Sequence, residues 1–437
     1  MSTANDTPVK PHCMFCKRPK NEVKRLVSGG NQGPWICNRC VEAAYKSSAE
    51  DAVKAAATKE EPLRKPLEII DFLNQFVIGQ DKAKRTIAVA VYNHYKRRIA
   101  LQKGLPMSKE GVEIQKSNIL LLGPSGTGKT EIARAIARML SVPFYIADAT
   151  RLTQSGYVGD DVETLLQGLM QDADGDVDRA QWGLVYIDEF DKLGRKSGRN
   201  ASGYRDVSGE GVQQALLKLI EGGQVAVPRG MGVKMISSDA QRVDMIDTSN
   251  ILFICAGSFA GIEEVVTQRK NKSSRMGFGA KSTARLEGAD AYLEVTDDDV
   301  LDFGIIPELA GRLPVMTTTL PLTEDQMVQI LTEPKNAIVK QYKALFAMDN
   351  VELEFDEGAL RRIAQKAMKS PKGARALRSV MEAVLEPYCV DCPSDPGIRT
   401  VRVTELAIDG ADAVITRKTE AEVAAGGVPP EPQVAQA

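Results

Sequence analysis

The chain of 437 residues, with 43% hydrophobic and 26% charged residues, has the composition of a globular protein with two or three packed domains. Its net charge of -2 at pH 7 gives no general attraction to nucleic acid or to an anionic membrane surface. The polar amino terminus does not resemble a signal peptide, and no apolar run approaches the roughly 20 residues that span a bilayer. We therefore expect a cytoplasmic protein without a membrane or nucleic-acid partner.

Four of the seven cysteines lie near the amino terminus in two pairs, Cys13 with Cys16 and Cys37 with Cys40. The 20 residues between the pairs are within the range found in zinc sites of four thiolates, in which each pair holds one side of a tetrahedral ion. A segment this short has little apolar core, so bound zinc would supply its folding energy. The spacing predicts a small treble-clef-like domain in residues 1–48 with structural Zn²⁺ and no open position for a catalytic water.

The next stretch, residues 49–66, is rich in Ala, Lys and Glu and contains Pro62 and Pro66. It shows no lasting apolar periodicity, so we expect a flexible linker that is partly helical at most. Such a linker would let the zinc domain move relative to the body of the protein.

Apolar strand patterns alternate with helical patterns between residues 67 and 320. Strands are predicted near residues 119–122, 144–147, 183–188 and 251–256, and helices near residues 161–172 and 211–221. Strands that are apolar throughout and alternate with helices are typical of a parallel sheet covered on both faces. This pattern predicts an α/β fold with a P-loop nucleotide-binding sheet.

A glycine-rich loop joins the first of these strands to a helical pattern. It consists of Gly123, Pro124, Ser125, Gly126, Thr127, Gly128, Lys129 and Thr130. Glycines let the backbone curl until its N–H groups point at phosphate oxygens, and the following helix presents its positive end to the same anion. Lys129 would neutralise the β- and γ-phosphates, and Thr130 would ligate Mg²⁺. We interpret the loop as an ATP site; a glycine-rich turn without a ligand is the alternative.

Two adjacent carboxylates end the apolar strand at residues 184–188. Asp188 at the strand end would hold Mg²⁺, and Glu189 would polarise the attacking water. The alternative is a strand end at the protein surface. The pair favours ATP hydrolysis over nucleotide binding alone.

Beyond residue 320 the apolar spacing becomes mainly helical, with short strand patterns near residues 351–355 and 400–403. This spacing predicts a smaller helical domain in residues 321–416. The remaining residues, 417–437, are mostly Glu, Ala, Pro and Gly and are predicted to be disordered.

The order of motifs resembles the ClpX family, the AAA+ unfoldase subunits of Clp proteases, over about residues 10 to 415. Besides the zinc pairs and the phosphate loop, the resemblance rests on Val77-Ile-Gly-Gln80, Gly156-Tyr-Val-Gly159, Val185-Tyr-Ile-Asp-Glu-Phe-Asp-Lys192, Gly209-Glu-Gly-Val-Gln-Gln-Ala-Leu-Leu-Lys218 and Gly311-Arg-Leu-Pro314. On this basis residues 67–320 and 321–416 correspond to the large and small subdomains of an AAA+ module.

The resemblance implies a homo-hexamer with ATP bound at the interfaces between subunits. Val77 and Ile78 would pack on the adenine. Arg312 would be an arginine finger that reaches the phosphate of the neighbouring subunit, and Arg375 would be a sensor arginine of the small subdomain. Either arginine alone would be interpreted as a solvated surface charge.

The resemblance also implies that tagged or unfolded proteins are threaded through an axial pore into a Clp peptidase. Tyr157 and Val158 would grip the substrate in the pore. Without the resemblance, a buried tyrosine on a tight turn would be the interpretation of this motif. Met276, Gly277 and Phe278 would dock the peptidase, and the zinc domain would bind substrates and adaptors.

Two segments depart from the family pattern. Met276 stands where the family has a branched aliphatic residue, although methionine can still fill an apolar pocket. Residues 227–236 lack the Arg-Lys-His segment that follows the proline in the family. Such changes would fit a diverged second copy, and they leave peptidase docking and tag preference open.

Two other classes of protein share some of these features. A zinc-containing, DNA-dependent ATPase or helicase-like motor would have the same phosphate loop, but the chain lacks a basic, aromatic path for a nucleic-acid strand. A non-hydrolysing adaptor would bind ATP without turnover. We favour the ATP-dependent protein unfoldase.

Overall fold

A computed structural model describes residues 12–28, 35–43, 63–103, 114–153, 160–194, 209–228, 243–274 and 288–419. The chain divides into two compact units, Met1–Leu63 and Arg64–Ala437. The first unit holds the paired cysteines, and the second holds the phosphate loop.

The amino-terminal unit is built on an antiparallel pair of strands, β1 (Leu26–Ser28) and β2 (Trp35–Cys37). A 3-10 turn at Lys20–Glu22 precedes the pair, and a helix follows it over residues 38–43. Within residues 12–28 and 35–43, Cys13 and Cys37 are the only fully buried apolar side chains. Apolar burial alone is therefore too small to stabilise this unit.

The second unit alternates strands and helices along its first 250 residues or so and is mainly helical after that. Its strands are β3 (Ile119–Leu122), β4 (Phe144–Asp148), β5 (Leu152–Thr153), β6 (Asp160–Asp161), β7 (Leu184–Asp188), β8 (Gln224–Pro228), β9 (Val243–Asp247), β10 (Leu252–Gly257), β11 (Val315–Thr318), β12 (Glu352–Phe355), β13 (Ile398–Val403) and β14 (Val414–Arg417). Its helices are α1 (Pro66–Asn74), α2 (Asp81–Gln102), α3 (Lys129–Leu140), α4 (Thr164–Asp172), α5 (Val177–Ala180), α6 (Glu210–Glu221), α7 (Ile262–Ser274), α8 (Ala289–Leu293), α9 (Asp297–Phe303), α10 (Pro307–Ala310), α11 (Glu324–Thr332), α12 (Ile338–Met348), α13 (Glu357–Met368), α14 (Arg375–Asp391) and α15 (Glu405–Ile408). Among the described helices, none combines the length and apolar character that a membrane crossing requires.

A parallel sheet of five strands forms the centre of this unit, in the order β11-β3-β10-β7-β4. All four residues of β3 are buried, although alternate side chains point to opposite faces of the sheet. Both faces must therefore be covered, and helices cover them. The predicted α/β fold, a parallel sheet flanked by helices, is confirmed. Because the strands are parallel, their carboxyl ends lie along one edge of the sheet.

The residues beyond 320 build a second hydrophobic core from helices α11 to α15. A small sheet in the order β12-β13-β14 belongs to this core, with β12 parallel and β14 antiparallel to β13. Strands β12 and β13 agree with the sequence-based prediction. Strand β14 does not appear in that prediction, because its four residues are all exposed and lack a buried alternation.

Gln80 connects the start of the large sheet region to the beginning of the second core. Its side-chain amide donates to the carbonyl oxygen of Leu320 at 2.8 Å, and its Oε1 accepts from the Leu320 N–H at 2.8 Å. The side chain therefore satisfies the backbone of Leu320 as a neighbouring strand would. This pair ties the segment at residues 77–80 to the junction between the two cores.

Asn118, directly before β3, is a buried hydrogen-bonding centre with 1% exposure. Its amide nitrogen donates to the carbonyl oxygens of Ile220 at 3.3 Å and Arg312 at 3.1 Å. Its Oδ1 accepts from the Phe253 N–H at 3.2 Å. One side chain thus holds three segments of the fold at the amino-terminal edge of the sheet.

Replacing Asn118 with alanine should remove the side-chain partner of the Arg312 carbonyl oxygen and the Phe253 N–H, while the Ile220 oxygen keeps its bond from Lys116 Nζ. We expect Asn118→Ala to lower the free energy of unfolding by about 2–4 kcal/mol. Urea denaturation followed by circular dichroism measures the change. Asn336→Ala, at an exposed position, is the control and should change the value by less than about 0.5 kcal/mol. Equal stability of the two variants would show that Asn118 has no such role.

Candidate nucleotide site and zinc site

A cavity of about 810 Å³ lies at the carboxyl edge of the sheet, between the phosphate loop and the second core. The predicted residues that line it are Val77, Ile78, Ser125, Gly126, Thr127, Gly128, Lys129, Thr130, Asp188, Glu189 and Arg375. Its size is within the range of pockets that bind small ligands. The structure therefore brings most of the predicted nucleotide residues together around one space.

The phosphate loop has the backbone geometry that its glycines allow. Gly123, Gly126 and Gly128 have φ values of 147°, 75° and 95°, which side chains rarely tolerate. Helix α3 begins at Lys129, directly after Gly128, so its amino-terminal N–H groups lie at the cavity wall. A strand, a curled loop and a helix start are the three parts of an anion site, and all are present here.

The amino group of Lys129 is held within this loop. It donates to the carbonyl oxygens of Gly123 at 2.6 Å and Pro124 at 2.8 Å, so these two residues hold the lysine in place without lining the cavity themselves. Burial lowers the pKa of Lys129 to about 8, while the carboxylates of Asp188 and Asp191 favour its charged form. The lysine remains mostly protonated at pH 7 and can neutralise a phosphate group.

The other wall of the cavity carries the predicted Mg²⁺ ligands. The Thr130 hydroxyl donates to Asp188 Oδ2 at 3.2 Å. A hydroxyl and a carboxylate next to one another are the oxygen ligands that Mg²⁺ prefers, so the residues present fit this ion. Glu189 follows with a left-handed φ of 54°, and its N–H donates to Asp188 Oδ1 at 3.0 Å. The turn places Glu189 exposed on the cavity wall beside Asp188.

Asp191 and Ser258 also line the cavity, and neither was a predicted site residue. Asp191 is 5% exposed; its carboxylate accepts from the Ser258 N–H at 2.9 Å and from the Ser258 hydroxyl at 3.1 Å. The bond fixes the end of β10 against the acidic turn. A signal was present, because Ser258 follows a buried strand and the carboxyl ends of parallel strands share one edge.

Part of the cavity lining is apolar. Val77, which is 5% exposed, belongs to it together with Ile78, Leu322 and Ile330. Leu322 and Ile330 come from the second core, so both cores contribute apolar side chains. Apolar side chains beside a cationic loop suit a base joined to a phosphate chain.

Arg375 begins helix α14 of the second core and reaches the same cavity. The backbone just before it packs directly on the phosphate loop: a Cβ on Gly126 would lie 2.4 Å from the Lys372 carbonyl oxygen. Contacts this close leave no room for a side chain between the two cores. The phosphate loop and the segment just before α14 therefore pack backbone against backbone.

Arg312 is not among the residues that line the cavity. It lies just before β11, at the amino-terminal edge of the sheet, and its Nε and Nη2 donate to Glu221 Oε1 at 3.0 and 2.8 Å. The phosphate loop lies at the other end of β3, about 13 Å away for a strand of this length. The structure therefore separates Arg312 from the other two predicted catalytic residues of the same subunit.

The four predicted zinc ligands converge in the amino-terminal unit. The Sγ atoms of Cys13, Cys16, Cys37 and Cys40 all lie within 4.8 Å of one another, with Cys16 and Cys37 at 3.6 Å. Zinc–sulfur bonds of about 2.3 Å in a tetrahedron place sulfur atoms about 3.8 Å apart, so the cluster fits this metal. Backbone N–H groups, that of Cys16 first, lower the pKa of Cys13 to about 6 and favour the thiolate form.

The remaining predicted site residues lie outside the described ranges. They are Tyr157, Val158, Met276, Gly277 and Phe278. The segment that lacks the Arg-Lys-His sequence, apart from residues 227 and 228, also lies outside them. The pore and docking assignments remain predictions.

Three protein families match successive parts of the chain. The ClpX C4-type zinc finger matches residues 11–50, the AAA domain (Cdc48 subfamily) matches residues 114–316, and the C-terminal D2-small domain of ClpB protein matches residues 322–401. These matches agree with the zinc cluster, the sheet with its cavity, and the second core.

Two related proteins are similar along nearly the whole chain. The ATP-dependent Clp protease ATP-binding subunit ClpX of Treponema denticola is 43% identical over 403 residues, which cover 92% of this chain and 94% of that protein. The subunit of the same name from Bacteroides thetaiotaomicron is 46% identical over 396 residues, covering 89% of this chain and 93% of that protein. The similarity therefore includes the zinc finger, both cores and the cavity between them.

The contact at Gly126 makes ATP binding sensitive to a single methyl group. We expect Gly126→Ala to weaken ATP binding roughly tenfold or more, because the new Cβ would overlap the backbone at residues 372–374. Titration with a fluorescent ATP analogue measures the dissociation constant.

Gly175→Ala is the matched control for this variant. Gly175 has a φ of 78°, close to the 75° of Gly126, but no atom lies within 4 Å of its added Cβ. Both variants carry the same backbone cost of about 1–2 kcal/mol, and only one carries the overlap. Equal ATP affinities of the two variants would contradict the interpretation.

Proposed function

Because the chain belongs to the ClpX family, the ATP-binding subunits of ATP-dependent Clp proteases, we propose that it unfolds protein substrates and threads them through a hexameric ring into a Clp peptidase. The protein is an AAA+ ATP hydrolase with ATP and Zn²⁺ as cofactors, and its partner is the Clp protease. The proposal also includes Mg²⁺ as a cofactor and a ring of six subunits. It further includes tagged or unfolded proteins as substrates, and adaptors that bind the zinc domain.

The observation that carries the proposal is the position of the cavity between two cores. Residues of the sheet provide the phosphate loop and the acidic pair, and the second core provides Arg375, Leu322 and Ile330. A ligand in this cavity contacts both cores, so its hydrolysis favours a different orientation between them. This arrangement supports a motor in which ATP turnover produces movement.

The cavity residues support a separate role for each side chain in ATP hydrolysis. Glu189 polarises the attacking water, and Lys129 neutralises charge on the β- and γ-phosphates. Asp188 and Thr130 would hold Mg²⁺, which supplies further positive charge to the phosphate oxygens. Asp191 and Ser258 hold the end of β10 in place at the cavity wall.

The position of Arg312 supports action on a neighbouring subunit. The guanidinium group lies at the opposite sheet edge from its own cavity and is half exposed, with a side-chain exposure of 52%. A cation at the edge of one subunit can complete the site of the next in a closed ring. We therefore assign Arg312 the role of an arginine finger between subunits.

The mechanical parts of the proposal come from the resemblance. Tyr157 and Val158 would contact the polypeptide in the pore by bulk and stacking, which requires no particular substrate sequence. Met276, Gly277 and Phe278 would fill an apolar pocket of the peptidase. These residues would connect the movement of the two cores to the substrate and the peptidase.

The proposed function is tested by asking whether an unfolded protein or single-stranded DNA stimulates ATP hydrolysis. We expect an unfolded protein to raise the ATPase rate severalfold and single-stranded DNA to leave it unchanged, because the net charge of -2 gives no general attraction to nucleic acid. A coupled assay of ADP release measures both rates, and Glu189→Gln shows that the activity comes from this chain. Stimulation by DNA alone would support the helicase-like alternative.

Mixed rings test the arrangement between subunits. Glu189→Gln and Arg312→Ala should each reduce ATP hydrolysis by a factor on the order of 10³ or more. An equal mixture should regain activity, because about a quarter of the interfaces then pair an intact Glu189 with an intact Arg312 of the neighbour. A mixture as inactive as its components would argue against action between subunits.

A further inference from the structure

Arg312 makes a two-point contact with Glu221 at the protein surface. Nε and Nη2 of the arginine donate to the same oxygen, Glu221 Oε1, at 3.0 and 2.8 Å. The side chains are 52% and 41% exposed, so the pair contributes little to stability by itself. Its geometry instead fixes the plane of the guanidinium group.

The position of Glu221 is otherwise unfavourable. It is the last residue of α6, where the negative end of the helix dipole repels a carboxylate. Gly222 follows with a φ of 105°, so the helix cannot extend. A nearby cation offsets this repulsion, and Arg312 supplies it.

The backbones of both partners are held from the interior. The buried amide of Asn118 donates to the carbonyl oxygen of Arg312 itself and to that of Ile220, one residue before Glu221. Lys116 Nζ donates to the same Ile220 oxygen at 3.1 Å and to the Thr248 oxygen at 2.8 Å. The two side chains therefore start from backbone positions that are fixed relative to each other.

One edge of the guanidinium group is left for another ligand. Glu221 occupies the edge formed by Nε and Nη2, while Nη1 donates to no acceptor among the described residues. A guanidinium group has five N–H donors, so a phosphate can bind the second edge while the first stays bound to the carboxylate. Glu221 and a phosphate group can therefore bind Arg312 at the same time.

We propose that Glu221 is a positioning residue for Arg312, and that it holds the guanidinium group in the plane from which its free edge meets the phosphate of the neighbouring subunit. This inference rests on the proposed role of Arg312 as a finger between subunits. Arginine has many side-chain rotamers, and the carboxylate removes most of that freedom before the neighbour binds ATP. We expect this restriction of Arg312 to increase the rate of ATP hydrolysis itself, because that step depends most on the position of the arginine finger.

Steady-state ATP hydrolysis by the full chain tests this role. We expect Glu221→Ala to lower kcat on the order of ten- to a hundredfold, the cost of a misplaced catalytic group, with KM for ATP unchanged. Glu221→Gln keeps an acceptor oxygen in the same place and should restore most of kcat. Glu354→Ala is the control, because Glu354 is 46% exposed and lies 4.0 Å from Arg402; it should hydrolyse ATP like the wild type.

Mixing experiments separate a positioning role from a local folding defect. Glu221→Ala mixed with Glu189→Gln should regain hydrolysis, because the second variant supplies an intact pair of Glu221 and Arg312 to its neighbour. Glu221→Ala mixed with Arg312→Ala should stay impaired, since both changes damage the same partner of the interface.

Different results of these experiments would contradict the role of Glu221 or the role of Arg312. A wild-type kcat for Glu221→Ala, while Arg312→Ala is inactive, would overturn the positioning role and leave the proposed function intact. A raised KM with unchanged kcat would also overturn it. If Arg312→Ala hydrolysed ATP like the wild type, Arg312 would not be an arginine finger, and the proposed arrangement between subunits would be wrong.

Discussion

The contact between two backbones at Gly126 is the constraint on which the rest of the nucleotide site depends. The phosphate loop and the start of α14 approach so closely that a Cβ at this position would lie 2.4 Å from a carbonyl oxygen. No flexible side chain lies between them to absorb a displacement. Interfaces packed in this way change between discrete arrangements instead of deforming gradually. This contact supports the proposal that a change of nucleotide at the loop moves the second core.

The parallel sheet separates the cavity from Arg312, which we propose acts on the site of a neighbouring subunit. At the carboxyl edge, β7 ends in Asp188, while Gly123 and Ser258 directly follow β3 and β10; these residues surround or support the cavity. At the amino-terminal edge, Asn118 holds the backbone of Arg312 and of Ile220 beside Glu221. The four buried residues of β3 connect the two edges as a rigid segment. In the proposed ring, this strand would connect the nucleotide site of one subunit to the arginine that acts on the next.

The zinc cysteines, the phosphate loop and the acidic pair could be predicted from sequence because each is a short pattern whose spacing has one strong chemical interpretation. The fold class followed from the alternation of apolar strands with helices. The bond between Asp191 and Ser258 joins residues 67 apart, and that between Arg312 and Glu221 joins residues 91 apart. Pairs of residues this far apart in sequence are brought together only by the tertiary structure, so the sequence patterns could not predict them. Strand β14 was missed because its exposed residues carry no buried pattern.

We propose that ATP turnover by this chain unfolds proteins for a Clp peptidase. Its most direct test is the fluorescence of a stably folded, tagged reporter protein in the presence of the full chain, a Clp peptidase and ATP, with Met276→Ile as a parallel sample. We expect a loss of fluorescence that requires ATP hydrolysis and is accompanied by degradation of the reporter. Steady ATP hydrolysis with the reporter folded and intact in both samples would contradict it.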